Sequence, residues 1–259
     1  MNKYFGDITL LTTHYNRSHS LERLLGTFEN EQIRFNEIVI SDDGSRPEHL
    51  KRLKELEEKY KLRIIYSDKN RGLANNLNKG QAVIGTPYTL YVQEDFVPTE
   101  KFAQSLNDGW SLIKENPDID LVRFYAYKKY PYRKPLKNGF SEMEFHFWRP
   151  NFWQFYCYSD HPHLRRSNFT EKFGQYREGI NSDKAEYLMM ISFLKKKGKA
   201  IIHEDYQGIF DQKNDSQEPS QVGRKRFKKY IQLTDFFLIR IIRTVYRNLK
   251  FRFDYLRPL

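Results

Sequence analysis

The chain has 259 residues and a formal net charge of +11, enough to bury one substantial core and too much for a peptide-sized binding module. Its single cysteine, Cys157, excludes a disulfide framework and a thiolate metal cluster and fits a reducing compartment. The start, MNKYFGD, is not a hydrophobic signal segment, and no stretch reaches the roughly 20 apolar residues a membrane span needs, so neither export nor spanning is expected.

In chain order, residues 8–11 predict a first strand, followed by a polar loop, Thr12-Thr13-His14-Tyr15-Asn16-Arg17. Leu21, Leu24, Leu25 and Phe28 then fall at i, i+3, i+4 and i+7, one apolar face of a helix. Residues 38–45, IVISDDGS, carry a β-branched strand into Asp42-Asp43-Gly44-Ser45. Ser45 reads as the N-cap of the next helix, with Glu48 closing a capping box. Leu50, Leu53, Leu56 and Tyr60 give that helix its apolar side. Residues 62–66 are a third strand. Asn70-Arg71-Gly72 precede a helical stretch through Gly80, ended by Gly85 and Pro87, and residues 88–92 form a fourth strand that runs into Gln93-Glu94-Asp95. Four strands alternating with three helices predict an α/β fold, a mostly parallel sheet flanked by helices with right-handed crossovers. Ligands of such sheets bind beyond the carboxyl ends of the strands, so two strands deliver acids to one edge.

The pattern then loosens. Phe102, Leu106, Trp110 and Ile113 mark a helix, and residues 121–127 a strand. Residues 130–173 are aromatic and Pro-interrupted, as a substrate-facing region would be; Trp148, Phe152, Trp153 and Tyr156 are rings that stack on sugars or fill cores. Residues 183–197 are helical, with Tyr187, Leu188, Ile191 and Leu194 inward and Gly198 as C-cap, and residues 200–203 are a last strand. The polar, turn-rich stretch 211–223 reads as a linker. The expected organisation is a domain over 1–215, divided into a nucleotide-binding half (1–100) and an acceptor-side half (101–215), followed by a basic amphipathic helical tail over 216–259. Residues 224–259 carry 11 Lys and Arg against Asp235 and Asp254, leaving a balance of only +2 on the other 223 residues. Phe227, Ile231, Ile241, Ile242, Val245 and Leu249 lie near one helical stripe, the pattern of an interfacial membrane binder. Packing on the domain, or on a second copy to form a homodimer, is the competing reading. Nucleic acid is not an expected partner, because the globular part has no basic face and no nucleic-acid motif.

As an ordered set, the T-x-YNR loop after the first strand, DDGS after the second, N-x-G before the third helix and the acidic triplet after the fourth strand resemble glycosyltransferase family 2 with its GT-A fold. The resemblance covers about residues 7–100 and continues more weakly to about 205. It implies an inverting transfer of a sugar from a nucleotide-diphosphate donor, UDP-sugars favoured, to a hydroxyl acceptor on a surface polysaccharide or glycolipid, at the cytoplasmic face of a membrane. Carried over, Thr13, Tyr15, Asn16, Arg17, Asp42 and Asp43 surround the donor base, and Arg71 neutralises diphosphate. Asp95 binds Mg²⁺ or Mn²⁺, hard ions suited to oxygen ligands, with Glu94 as helper or ribose partner and His203 as a second ligand. Glu186 is the general base, with Asp183 and Glu178 as alternatives, although Asp183-x-x-Glu186 also fits a capping box. The sequence departs from the family pattern at Gln93, where an aspartate is usual, and at Tyr187, the second position of the family's Glu-Asp pair. Those departures keep open a membrane-associated adaptor with a decayed site. A sugar nucleotidyltransferase is the rival within enzymes, though it usually has a Gly-rich loop where this chain has TTHYNR.

Overall fold

The computed structural model describes residues 3–213, 218 and 237–258; the basic run at 224–229 and most of the expected linker lie outside the described residues. The chain runs β1 (Tyr4–His14), α1 (Ser18–Asn30), β2 (Arg34–Asp42), α2 (Pro47–Tyr60), β3 (Arg63–Ile65), α3 (Leu73–Gln81), β4 (Tyr88–Tyr91), β5 (Phe96–Pro98) and α4 (Phe102–Glu115). It continues through β6 (Leu121–Arg123), β7 (Arg133–Pro135), β8 (Phe140–Met143), a 3₁₀ turn at Phe152–Phe155, β9 (His163–Arg166), α5 (Phe169–Phe173), α6 (Ser182–Lys195), β10 (Ala200–His203), β11 (Phe210–Gln212) and α7 (Phe237–Leu256).

Nine strands form one sheet in the order β3-β2-β1-β4-β9-β6-β10-β8-β7. β1, β2, β3 and β4 are parallel neighbours, and β6 is parallel to β10. β9 is inserted antiparallel between β4 and β6. The fold is therefore α/β with a mostly parallel sheet flanked by helices, as the alternation predicts. β9 lies inside the stretch that reads as irregular; a strand of HLRR, with a buried His163 and Arg165, has no apolar alternation to announce it.

Period-2 alternation divides the core between the two faces. Leu10, Leu90, Val122 and Ile201 pack with Leu24 and Phe28 of α1 and with Phe102, Leu106 and Ile113 of α4. Their neighbours Leu11, Tyr91, Leu121 and Ile202 pack with Leu77 of α3, Phe169 and Phe173 of α5, and Met190 and Phe193 of α6. α6 is buried on more of its circumference than the expected stripe, since Met189, Met190 and Phe193 are inside while Tyr187 and Leu188 are only half-buried. Its C-terminal turn closes with Lys197 in the left-handed region (φ +56°) and Gly198 N–H donating to the Phe193 carbonyl, so Gly198 stands one residue past the left-handed position.

α7 docks by one side. Phe251 stacks on Phe152 and Phe155 with ring centroids 6.0 and 5.0 Å apart. Tyr187 donates to Asp254 Oδ2 at 2.6 Å, and Arg252 donates to the carbonyls of Phe147 and Arg149. Phe251→Ala should weaken this seat by about 3 kcal/mol and release α7, read as faster tryptic cleavage at Arg252; equal protection in the variant would show that the helix is seated elsewhere.

Candidate active site

The site begins where β1 and β2 end together, His14 facing Asp42 in the parallel register. Asp42 is fully buried, and an ionised carboxylate there must find donors or lose its charge. It finds four: His14 Nδ1 at 2.8 Å and Ser45 Oγ at 2.6 Å on one oxygen, Gly44 N at 3.1 Å and Ser45 N at 3.0 Å on the other. Burial pushes the pKa of Asp42 up, and these bonds outweigh it, holding the carboxyl below its ordinary value. Nδ1 of His14 donates to Asp42 and Nε2 accepts from Arg17 N, which fixes the His14 tautomer. Gly44 sits at φ +73°, and a Cβ there would come within 2.5 Å of the Lys69 carbonyl carbon, so only glycine fits.

Ser45 Oγ also accepts from Asn16 N at 2.8 Å, and Asn16 Oδ1 accepts from Arg46 N at 2.8 Å. The two loops are thus stitched to each other. This corrects the capping-box expectation: Ser45 is spent on the corner, and α2 starts from Arg46 and Pro47 with no side-chain cap. The same four donors occupy the acceptor capacity of the Asp42 carboxylate. Asp43 is turned the other way and accepts from Arg71 N and Gly72 N, both at 2.8 Å, pinning the loop before α3. The Arg71 side chain stays exposed. Thr13 hydrogen-bonds Tyr91 inside the sheet at 2.9 Å, whereas Tyr15 is half-exposed on the loop. Lys79, which sequence reasoning passed over, donates to the Asp42 carbonyl and to Ser67 Oγ, both at 2.6 Å.

Beyond β4, Glu94 and Asp95 meet Arg17. Arg17 Nη1 lies 3.1 Å from Glu94 Oε1 and 3.9 Å from Asp95 Oδ2, Nε donates to the Glu218 carbonyl, and the guanidinium is buried with no partner for Nη2 among the described residues. Burial raises the pKa of Glu94, opposed by Arg17. Asp95 Oδ2 accepts from Gln212 Nε2 at 3.0 Å, and Glu218 accepts from His19 N, Ser20 N and Ser20 Oγ at the start of α1. Both partners come from the stretch read as linker, where polarity alone did not distinguish a solvated loop from a strap across the site. Among the described residues no three His, Cys, Asp or Glu side chains are grouped to hold a metal ion. Mg²⁺ and Mn²⁺ bound with a substrate diphosphate need only one or two protein carboxylates, and Asp95 supplies one.

On the other side of the sheet edge, Glu186 is half-buried and its Oε1 accepts from the backbone N of Asp160 at 2.9 Å. Asp160 leaves the sheet just before β9, whose His163 pairs with Tyr91, and the neighbouring His161 ring lies 6.0 Å from Phe96. Its carboxyl accepts from Tyr158 Oη at 2.5 Å; Tyr158 in turn meets Tyr176, which accepts from Arg165 Nη1 at 2.8 Å. Burial first, and the Glu186 charge second, raise the pKa of Asp160 to about 7. Sequence reasoning missed Asp160, whose only signal is an acid amid aromatic residues. The other expected members are placed apart. Asn181, not Asp183, caps α6, Asp183 is exposed, and Glu178 is held by Asn75 and Asn78 of α3. His203 packs edge-on against Phe140, with its nitrogens at Ser105 Oγ and Asp205 N. β4 and β10 are separated by β9 and β6, about 14 Å at ordinary strand spacing, so His203 does not share an ion with Asp95.

The mostly parallel sheet flanked by helices, with acids gathered at its carboxyl edge, is GT-A-like. The chain belongs to glycosyl transferase family 2, whose model matches residues 9–177. A cholesterol galactosyltransferase of Borreliella burgdorferi is 25% identical over 120 residues, 46% of this chain and 33% of that one; the chain thus spans a third of the relative's length. S. aureus TarS 1–349 in complex with UDP-GlcNAc superposes with a TM-score of 0.61 at 14% identity, covering 95% of this chain and 72% of that one. The mannosyltransferase PcManGT from Pyrobaculum calidifontis, in complex with GDP-Man and Mn²⁺, gives 0.56 at 14% identity, covering 78% and 56%. The family match places the chain in a glycosyltransferase family, not among nucleotidyltransferases.

Replacing Asp42 tests the corner directly. Asp42→Asn should cost about 1.5–3 kcal/mol, the worth of hydrogen bonds to a charged group, and lower the melting temperature by several degrees. An unchanged melting temperature with loss of nucleotide affinity would instead return Asp42 to the role of base reader.

Proposed function

We propose that the protein transfers a sugar, with inversion, from a nucleotide-diphosphate donor, a UDP-sugar by preference, to a hydroxyl on a surface polysaccharide or glycolipid. The observation that carries the reading is Asp95 beside Arg17 at the carboxyl edge, next to the corner of Asp42. Residues 1–100 form the donor half: Thr13, Tyr15, Asn16 and Asp43 shape the base pocket, and Arg71 reaches the diphosphate. Asp95 would hold Mg²⁺ or Mn²⁺, which when bound stabilises negative charge on the leaving diphosphate. Arg17 holds Glu94 and leaves Nη2 to donate to an anionic ligand. On the acceptor half, 101–215, Glu186 stands at the proton-accepting position and Asp160 is its coupled partner; Asp183 and Glu178 are the alternatives. Asp160, raised to about 7 beside the Glu186 charge, gives the acceptor side a carboxyl that exchanges its proton near neutrality, which suits removal of a hydroxyl proton. The basic tail supports a peripheral position at the inner face of a membrane.

Thermal shift with UDP, GDP, CDP and dTDP, each with Mn²⁺ or EDTA, tests the donor half. One nucleotide at 100 times its Kd should stabilise the wild type by roughly 2.7 kcal/mol in a way that needs Mn²⁺ and is lost in Asp95→Ala. No shift with any of them would overturn the donor reading, and a shift without any transfer would favour a binding protein that has lost its chemistry.

The pair predicts a pH profile. Asp160 is raised to about 7, so the ionised, proton-accepting form is depleted below that pH, and transfer should rise tenfold per pH unit below it before levelling above it. Glu186→Gln removes the proposed base and should lower transfer by about 10²–10⁴-fold at every pH, while Asp160→Asn removes the group raised to about 7 and should abolish the acid limb; near-full transfer in Glu186→Gln, or an acid limb unmoved in Asp160→Asn, would place the base elsewhere.

A further inference from the structure

The docked face of α7 leaves a second face outward. Ile242, Val245, Leu249, Phe253 and Leu256 follow one another at spacings of three and four residues, which is a single stripe along a helix. Their exposures are 67, 52, 63, 59 and 70%. None of these five serves the seat formed by Phe251, Asp254 and Arg252. At 100° per residue Arg243, Lys250 and Arg257 run along one flank of the stripe, and all three are exposed. Along the other flank stands Trp148, 84% exposed, carried by Phe147, whose ring lies 5.3 Å from that of Tyr255 and whose carbonyl accepts from Arg252. Two elements more than 90 residues apart in sequence therefore contribute to one apolar face with a cationic border.

We propose that this face, the outward stripe of α7 together with Trp148, is the surface by which the protein seats on an anionic lipid leaflet. The charge selects the occupant. Between Phe237 and Leu256 the helix carries Arg240, Arg243, Arg247, Lys250 and Arg252 against Asp254 alone, so a second copy laid on the stripe would bring like charges together. An anionic leaflet instead attracts the cationic flank and accepts the stripe at its headgroup boundary, and a tryptophan on the border is the side chain that prefers that depth. The seat of α7 adds orientation. Tyr187, bonded to Asp254, is next in sequence to Glu186, so a bound leaflet lies on the acceptor half and the acceptor is a hydroxyl carried in that leaflet. The inference deepens the peripheral-membrane reading and is independent of the donor site.

The test uses the full chain and vesicles either of phosphatidylcholine alone or of phosphatidylcholine and phosphatidylglycerol in equal parts, with co-sedimentation and tryptophan emission as readouts. The wild type should bind the anionic vesicles at least about tenfold more tightly than the neutral ones, with a blue shift in emission. Leu249→Asp, on the outward stripe, should lose about tenfold or more of this binding without change in melting temperature, and Trp148→Phe should lose the blue shift, since Trp110 and Trp153 are already partly covered. Binding that survives Leu249→Asp with its blue shift intact in Trp148→Phe would move the membrane contact elsewhere and overturn the proposal. A wild type that ignores both vesicles and sediments as a dimer would assign the face to a second copy. In either case the nucleotide-induced thermal shift still reports the donor site separately.

Discussion

The buried carboxylate of Asp42 is the constraint on which the donor edge depends. β1 and β2 are parallel, so their C-terminal loops emerge side by side with no turn to join them, and nothing in the sheet ladder fixes how those loops lie. Asp42 supplies the missing bond. It accepts one hydrogen bond from His14 at the end of β1 and three more from Gly44 and Ser45 of its own corner. Ser45 passes the connection on to Asn16, and Asn16 to Arg46. Because His14, Asn16, Asp42 and Ser45 are buried and the acceptor is charged, leaving any of these unpaired costs more than the bond itself contributes. The network therefore has one low-energy arrangement, and Arg17, the next residue along the first loop, is aimed at Glu94 as a result.

Asp43 extends the same logic outward. Where Asp42 locks two loops into the sheet, Asp43 locks a third, before α3, by taking the N–H groups of Arg71 and Gly72. Lys79, two residues before the end of α3, returns to the Asp42 carbonyl. Adjacent aspartates of one motif thus point to opposite neighbours, as successive residues of an extended chain must. The pocket beside them is rigid because its walls are tied to each other, and not because any one wall is long.

Much of this was legible in the sequence, and the reasons for what was not are physical. Strands with apolar alternation and helices with a clear stripe stand where periodicity puts them, and the motifs that resemble the family fall on the strand ends that form the edge. Which aspartate faces outward could not be read, because DDGS names two carboxylates and only the β1 register shows that His14 faces Asp42. β9 was hidden because its buried residues are His163 and Arg165, polar groups whose burial depends on partners distant in sequence. Gln212 and Glu218 were hidden for the same reason: a turn-rich polar stretch looks alike whether it is solvated or laid across Asp95 and the start of α1. Even α7, whose amphipathic pattern is plain, was half-read, since Phe251 and Tyr255 lie off the stripe and are the residues that dock.

The two carboxylate pairs at the edge differ in how burial is compensated, and that difference separates their chemistry. Glu94 and Asp95 share a guanidinium within ion-pairing distance, so the charge that burial disfavours is opposed directly. At Asp160 and Glu186 the buried Arg123 donates instead to the carbonyls of Tyr156 and Tyr125, the buried Arg165 is bonded to Tyr176, and Asp160 is held by a tyrosine hydroxyl rather than by a guanidinium. A neutral donor steadies a carboxylate less than a charge does, and the second carboxylate of the pair pushes the other way. Glu94, raised by burial, thereby has the Arg17 charge working against that rise, while Asp160 holds a proton near neutrality and can give it up or take another. Environments that drive two sets of acids apart are how one fold separates charge stabilisation from proton transfer, and here the separation follows from where two arginines spend their hydrogen bonds.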